Sequence, residues 1–354
     1  MHDSKAAIGL ETMAMTKAWT MMAAAAAVTA CALTPLAAAA VAAAPASRQA
    51  SADPLATLIG MERRVAPIIA RLMQGSARWC PQLMPTPGWL LGDPRQYRAA
   101  VWNRARPAYG ASGVDAPFIA ALDPGGAAAA AGVMPGDAVT AINGVTLSGD
   151  GDAPYARMAQ AHALLVAADP RAPLTITLAR LDTPLTFAAP AGCASEFRVE
   201  ASEQVRARAD GTLVLLYAGM LRFSDDDDEL ATVIAHELAH NILRHRARLN
   251  AADIQRGLAQ NFGRNARLTR LTEIEADRLS VWLMADAGID PAAAARFWTN
   301  FGKRHGGGIF AAPTHPRWKE RVKLVTAEAE TMRQLRAADP NAIPPLVSNP
   351  PPLE

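Results

Sequence analysis

Apolar residues recur at helical spacing in the stretch from residue 53 to residue 79. They are Leu55, Leu58, Ile59, Ile69 and Leu72. The pattern predicts one amphipathic helix, which Pro67 bends or splits. The Pro/Gly-rich stretch "CPQLMPTPGWLLGDP" follows it and marks a boundary.

The middle of the chain predicts short strands separated by glycine turns. In "FIAALDPGGAAAAAGVMPGDAVTAINGVTL" we expect strand, alanine helix, turn, strand, Asn-Gly turn and strand. Gly132, Gly136 and Gly144 stand where the chain must reverse with a positive φ. The segment "YARMAQAHALLVAA" predicts a helix, and the alternating residues 174–181 predict another strand.

This order resembles a PDZ domain over roughly residues 99–190. The match is specific at Ala131-Gly132-Val133-Met134-Pro135-Gly136-Asp137. The segment "YGASGVDAPF", where a PDZ domain binds a terminal carboxylate, has glycines but no Gly-Leu-Gly-Phe loop. The resemblance implies the fold. A peptide-binding PDZ domain and a spacer domain that binds nothing both remain open.

The remainder of the chain predicts strands at "EFRVEAS" and "TLVLLYAGMLRF", then mainly helices to about residue 338. The second of these segments is a candidate edge strand on which an extended substrate can lie. The tail "PNAIPPLVSNPPPLE" is proline-rich, and we expect it to be disordered.

The N-terminal segment has the features of an export signal. Lys17 is the last charge before an alanine-rich run that continues to Ser47 and contains Ala44-Pro45-Ala46, a small-residue cleavage pattern. Cleavage near residue 46 is our first expectation. Val28-Thr29-Ala30-Cys31 also resembles a lipobox, which would make Cys31 a lipidated N-terminus. A retained membrane anchor is the third alternative.

Composition narrows the functional classes. The chain has 354 residues, enough for two or three domains, and a formal net charge of +2 with no long basic run. We therefore expect no nucleic-acid partner. With Cys31 removed, Cys80 and Cys193 remain, and in an oxidising compartment such a pair is a candidate disulfide; two buried free thiols are the alternative.

The strongest chemical signal is His236-Glu237-Leu238-Ala239-His240. Ser224 and the acidic run Asp225–Asp228 before it predict a capped helix start, although four aspartates can also be read as a calcium site. His236 and His240 lie four residues apart on one helix face and can hold one zinc ion. Glu237 lies next to them as a candidate general base.

A catalytic zinc site needs a third protein ligand. The later helical segment "RLTEIEADRLSVWLMADAG" offers Glu273, Glu275 and Asp277. Glu273 and Asp277 are four residues apart and share a face, whereas Glu275 lies about 200° from Glu273. We assign Glu273 as the third ligand and Asp277 as the carboxylate that steadies a zinc-bound imidazole. Glu275 is expected to be a surface carboxylate or an intrahelical partner, and His245 is expected to lie off the zinc face.

Together these motifs resemble the HtpX/BepA-like gluzincin metallopeptidases, which are related to the CAAX prenyl proteases. The resemblance covers residues 195–330 and includes "DDDDELATVIAHELAH", Glu273-x-x-Ala276-Asp277, Thr314-His315-Pro316 and Arg321. It implies zinc ligands His236, His240 and Glu273, with Glu237 as the base. It further implies that His315 lies near the metal as an oxyanion stabiliser or resting-state ligand. A structural loop histidine is the alternative for His315, and Arg321 is expected to anchor that loop through a carboxylate.

The expected fold is multidomain: a PDZ-like α+β domain, as a partly open β-barrel or sandwich, and a mainly α-helical zincin-type peptidase domain with a small β-sheet. The predicted segments are a signal peptide (1–46), a helical segment and linker (47–98), the PDZ-like domain (99–192), the peptidase domain (193–338) and the tail (339–354).

The predicted function is an exported, periplasmic endopeptidase with one Zn²⁺ per chain, acting on protein or peptide substrates, with a role in envelope protein quality control. A peptide is the expected ligand of a binding-competent PDZ domain, and membrane contact is expected only through an N-terminal anchor. The alternative is a non-proteolytic module that binds clients without cutting them.

Overall fold

The computed structural model describes residues 53–149, 151, 153–254, 262–305 and 314–353. The predicted signal peptide, its cleavage site and Cys31 lie outside these residues. The described residues belong to one compact unit. None of their helices is both long enough and apolar enough to cross a membrane.

The helices and strands are numbered in chain order. Helices α1 to α11 are Pro54–Gly75, Ala99–Tyr109, Ala127–Ala130, Ala156–Ala167, Ala218–Leu221, Asp227–Ile242, His245–Ala251, Gly263–Asp286, Ala293–His305, Trp318–Ala338 and Pro345–Ser348. Strands β1 to β11 are Leu83–Pro85, Trp89–Gly92, Phe118–Leu122, Val139–Ile142, Val145–Thr146, Leu174–Leu178, Leu185–Phe187, Ala191–Cys193, Glu196–Glu200, Ala207–Ala209 and Leu213–Tyr217.

Helix α1 is the central support of the described structure. Its first turn is capped by Asp53, whose carboxylate accepts a hydrogen bond from the Leu55 amide. The helix runs through Pro67 without interruption and ends at Gly75, earlier than predicted. Its apolar residues are buried, and it packs against β3 as well as α6 and α8. It therefore joins the two halves of the chain.

The PDZ-like half contains an antiparallel four-stranded sheet in the order β5-β4-β6-β7 and the strand pair β2-β3. Gly132, Gly136 and Gly144 have φ angles of 86°, 87° and 78°, as the turn motifs predict. A Cβ atom on Gly136 would lie 2.3 Å from the Gly110 carbonyl oxygen, so a side chain there is also excluded by contact.

The strand pairs cross the predicted segment boundaries. β2 pairs with β3, and β1 pairs with β8, so residues before position 99 form sheets with the PDZ-like region. Cys80 and Cys193 are joined in a disulfide with Cα atoms 5.5 Å apart, beside the β1-β8 pair. The bridge links two positions separated by 113 residues in sequence.

The C-terminal half begins with a three-stranded sheet in the order β10-β11-β9. The prediction that "TLVLLYAGMLRF" supplies an edge strand is wrong. Its strand, β11, is central because it pairs with β10 on one side and with β9 on the other, and the segment turns into α5 after Tyr217. Strands β10 and β9 are the two edges of this sheet, and β10 packs beside α6.

The N-cap of helix α6 lies two residues later than the sequence indicates. Asp226, not Ser224, is its N-cap, with a side chain that accepts hydrogen bonds from the amides of Asp228 and Glu229. Ser224 instead donates to the buried carboxylate of Glu229. Two aspartates of the acidic run thus have a structural role, Asp226 as the N-cap and Asp227 in an ion pair with Arg64.

The expectation of a disordered tail is also wrong for the described residues. Pro345–Ser348 forms the short helix α11, and Leu346 is only 4% exposed in the main hydrophobic core. Arg78 donates hydrogen bonds to the carbonyls of Asn341 and Ala342, and Arg248 donates one to that of Pro351. One buried leucine and these backbone contacts hold a segment whose proline content alone predicts disorder.

Candidate metal centre

The two histidines of the α6 motif face each other at one buried point. Their spacing of four residues places both rings on one side of the helix, and the Nε2 atoms of His236 and His240 are 3.1 Å apart. His236 is 5% exposed, because α8 and α9 pack against α6. Two imidazole nitrogens at this distance require a proton or a metal ion between them.

Helix α8 brings the third group. One carboxylate oxygen of Glu273 is 3.3 Å from His236 Nε2, and the other is 3.5 Å from His240 Nε2. A tetrahedral zinc ion with bonds of about 2.0–2.1 Å has ligand atoms about 3.3 Å from one another. The nearest-atom separations are close to that value, and with one ligand atom from each residue the atoms of His236, His240 and Glu273 all lie within 4.8 Å of one another, so the group could hold a metal ion.

Asp277 holds the opposite side of the His236 ring. Its carboxylate is 3.0 Å from Nδ1 of His236 and has no solvent exposure. Arg321 from α10 donates from Nε to the second oxygen of Asp277 at 2.7 Å. Arg321, expected to anchor the Thr314-His315-Pro316 loop, is thus paired with the carboxylate that contacts His236.

His245 contacts the other ligand, contrary to expectation. Its Nδ1 atom lies 2.8 Å from Nδ1 of His240, and its Nε2 atom lies 3.0 Å from a carboxylate oxygen of Glu275. Glu275, expected on the surface, is 6% exposed and also forms an ion pair with Arg248. Sequence reasoning missed these three residues.

The turn after α6 explains why helical spacing wrongly predicts that His245 lies away from His240. Arg244 has φ 53° and ψ 37°, the left-handed conformation, so α6 stops and α7 begins at His245. The chain therefore does not continue at 100° per residue, and His245 turns back toward His240. A non-glycine residue in this conformation is the kind of local feature that residue spacing does not reveal.

Glu237 lies in the same cleft as the three-residue group and is buried. Burial raises its pKa to about 7, with His236 acting in the opposite direction. A carboxylate with that pKa can accept and return a proton near neutral pH.

At His236 and Glu273, neighbouring groups shift the pKa in the direction opposite to burial. Burial lowers the pKa of His236, but hydrogen bonds to Asp277 and Glu273 outweigh it and raise the pKa to about 9. Burial acts against ionisation of Glu273, but His240, His236 and His315 hold its pKa well below its usual range. Glu273 is therefore a carboxylate, the form that binds a metal ion.

His315 reaches the edge of this group. Its Nε2 atom is 3.5 Å from Glu273, its Nδ1 atom is 2.9 Å from the Thr314 hydroxyl, and its side chain is 53% exposed. The Arg270 guanidinium donates to its carbonyl oxygen. The loop thus presents a half-exposed imidazole at the metal group from the solvent side.

An open cleft of about 1300 Å³ gives access to the group. Its walls include the edge strand β10 and aromatic side chains such as Trp298, Phe301 and Trp318. The His236, His240 and Glu273 group therefore lies in a cleft that strand β10 also lines.

Comparison with known families agrees with this geometry. Residues 195–263 and 252–329 match the model of peptidase family M48, and residues 118–180 match a PDZ domain. These matches define an M48 domain in the C-terminal half of the chain. This M48 domain contains all the residues of the candidate metal centre, and the predicted combination of PDZ and HtpX/BepA-like peptidase domains is confirmed.

Curated relatives of the M48 domain include a metalloendopeptidase and a protease. The chain is 33% identical to the mitochondrial metalloendopeptidase OMA1 of Schizosaccharomyces pombe, over 35% of this chain and 44% of that protein. It is 31% identical to OMA1 of Arabidopsis thaliana, over 34% and 28%. It is 30% identical to the beta-barrel assembly-enhancing protease of Escherichia coli K12, over 25% and 24%. The chain thus spans less than half the length of these relatives.

The place where a PDZ domain receives a peptide is largely filled by the chain itself. Strand β1 packs against α4, and the cavity left between β2 and α4 is about 70 Å³ and is closed by α1 and β9 residues. Strand β1 and helix α1 thus contribute to the walls of this cavity.

Proposed function

We propose that the chain is an exported zinc-dependent endopeptidase that hydrolyses peptide bonds of protein substrates. The observation that carries this proposal is the convergence of His236, His240 and Glu273 at separations that fit a tetrahedral ion, beside Glu237 in an open cleft. The M48 match and the metallopeptidase relatives support it.

In this proposal His236, His240 and Glu273 hold one Zn²⁺ per chain, and Asp277 orients His236. A zinc ion held there supplies a Lewis acid for the scissile carbonyl and makes the attacking water more acidic. Glu237 takes the proton from that water and delivers it to the leaving amine. His315, at the solvent side of the group, donates a hydrogen bond to the oxyanion.

We also propose that the protein acts in the periplasm, in envelope protein quality control, after cleavage near residue 46 or with lipidation at Cys31 as the alternative. The disulfide supports an oxidising compartment. The peptidase portion corresponds to 193–338 and the PDZ-like portion to 99–192 with the β1 and β2 strands added. The bridge between Phe118 and Ala138 supports the proposal that the PDZ-like strands form a partly open barrel.

The alternative of a non-proteolytic client-binding module is disfavoured by Glu237, which such a module would not need. The test is Glu237→Gln in the full chain. We expect the zinc content to stay at one ion per chain while cleavage of an unfolded test protein falls at least about a hundredfold, the lower range for a lost general base. Unchanged cleavage in a zinc-loaded variant would refute the mechanism.

A further inference from the structure

Among the residues that the structure describes, the exposed charged side chains that line the cleft of the candidate metal centre are all positive. Its rim carries five cationic side chains, which are Arg206, Arg208, Arg246, Arg317 and Lys319. The carboxylates among its described lining residues are Glu237 and Glu273, both buried at its floor. The whole chain has 35 basic and 33 acidic residues, so this asymmetry is local.

The rim cations are available to a ligand. All five are exposed, and within the described part of the chain none has a carboxylate partner within ion-pair distance. The Arg208 guanidinium lies 5.9 Å from the Tyr217 ring centroid and the Lys319 ammonium lies 5.5 Å from that of Trp318. Such contacts orient a cation without neutralising its charge.

Two of these cations belong to the free edge of the sheet. The Arg206 carbonyl accepts a hydrogen bond from Tyr217, and the Asp210 amide donates one to Leu213, so the even-numbered residues of this segment bond toward β11. By the alternation of an antiparallel pair, the amides and carbonyls of Ala207 and Ala209 face away from β11, toward the cleft side. Arg206 and Arg208 then project from the same sheet face.

We propose that the cleft selects acidic polypeptide segments, which pair with β10 as an added strand and place carboxylates two residues apart beside Arg206 and Arg208. This inference rests on the proposed peptidase function and names its substrate class. A substrate strand on β10 brings alternate side chains within reach of those arginines. Arg246, Arg317 and Lys319 extend the positive potential along the rim and speed encounter with an acidic chain.

The experiment uses the zinc-loaded full chain and three quenched peptides with one apolar core. They carry Glu, Gln or Lys at two positions two residues apart. We expect kcat/KM in the order Glu, Gln, Lys, with a Glu-to-Gln ratio of about three to ten that shrinks toward one between about 20 mM and about 500 mM salt. Arg206→Gln combined with Arg208→Gln should bring that ratio close to one.

Arg171→Gln is the matched control, because Arg171 is exposed in the loop between α4 and β6 and does not line the cleft. It should keep the wild-type ratio. Equal cleavage of the three peptides would overturn the charge proposal while leaving the peptidase intact, whereas no cleavage of any peptide would refute the proposed function itself. A third outcome would assign the rim to a lipid surface instead. In it, the wild type shows no preference for peptide charge but binds anionic phospholipid vesicles, and the double variant loses that binding.

A second, independent observation concerns the ligand His240. If a metal ion takes its Nε2 atom, its Nδ1 atom carries the proton and donates to Nδ1 of His245. His245 then carries its own proton on Nε2 and donates to Glu275, which Arg248 holds in place. We infer that His245 is a positioning residue for His240, acting through a fixed chain of hydrogen bonds to Glu275.

The test compares His245→Asn, whose side-chain oxygen can replace the Nδ1 acceptor, with His245→Phe, which keeps a ring and removes the acceptor. We expect zinc affinity, measured by chelator competition, to fall about 10- to 100-fold in the Phe variant and to recover partly in the Asn variant. The absorption spectrum of the Co²⁺-loaded protein should change in the Phe variant. Equal zinc affinity in wild type and the Phe variant would overturn this role, as would equal losses in both variants.

Discussion

Nδ1 of His236 lies 3.0 Å from a fully buried carboxylate oxygen of Asp277. Since Asp277 is also paired with Arg321, its charge is shared between a candidate metal ligand and a buried guanidinium. The ring of His236 is therefore fixed from behind, with Nε2 facing His240 and Glu273. Both histidines of the centre are held at Nδ1 in this way, one by a carboxylate and the other by His245.

Asp277→Asn should weaken zinc binding by about 10- to 100-fold, because an amide oxygen is a poorer acceptor than a carboxylate and Arg321 loses its counter-charge. Chelator competition measures the affinity. Asp290→Asn is the control, since Asp290 is exposed and pairs with Arg296 on the surface. Wild-type affinity in the Asp277 variant would contradict this prediction.

Glu62 should make stability depend on pH. Burial raises its pKa from 4.5 to about 7, although the Tyr109 hydroxyl donates to it at 2.8 Å. The folded protein therefore holds the Glu62 proton more tightly than the unfolded chain does. The contribution to stability is complete below about pH 4.5 and is lost as the pH rises through about 7, by up to about 3 kcal/mol.

Glu62→Gln keeps an acceptor for Tyr109 and cannot ionise. Urea unfolding of both proteins at several pH values between about 4.5 and 8 measures the difference. We expect the variant to gain stability relative to the wild type as the pH rises. A difference that does not vary with pH would show that Glu62 ionises as readily in the folded protein as in the unfolded chain.

Replacing both disulfide cysteines, Cys80→Ala with Cys193→Ala, should lower the free energy of unfolding by about 2–5 kcal/mol. The bridge closes a loop of more than a hundred residues, so its loss frees the unfolded chain. Thermal unfolding with and without a reductant gives the measurement. The reductant should destabilise the wild type and leave the double variant unaffected; an equal response of both would argue against the bridge.

Leu346→Ala should cost about 2–3 kcal/mol, as for other buried leucines that leave a cavity. Ile343→Ala is the matched control in the same tail, because Ile343 is 40% exposed, and its effect should stay within about 0.5 kcal/mol. Denaturant titration compares the two. If both substitutions are neutral, the tail does not contribute its leucine to the core in solution.

The sequence was sufficient for the features that depend on local spacing. Four-residue separation predicts that His236 and His240 share a face, and that Glu273 and Asp277 do too; the structure brings all four together. The positive φ of the glycines in the middle region follows in the same way. Each of these patterns lies within a single helix or turn, and residue spacing describes the geometry of a single helix or turn.

Features that depend on what packs against an element were missed. The angle of about 200° between Glu273 and Glu275 is correct for a helix, but it does not mean exposure, since α8 is covered by α6 and α7 as well as α10. Likewise, the proline-rich tail is ordered by partners that are distant in sequence. The edge strand was misplaced because strand order is decided by pairing, which single-strand patterns do not contain.

Helix α8 limits which insertions and deletions this domain can tolerate. Glu273, Glu275 and Asp277 lie within five positions. Glu273 lies beside His236 and His240, Glu275 contacts His245, and Asp277 contacts His236. Deleting or inserting one residue upstream within α8 would turn this stretch by about 100° and withdraw all three carboxylates at once. The segment should therefore tolerate exchanges of side chains far better than changes of length, and the centre should be lost as a unit rather than piecemeal.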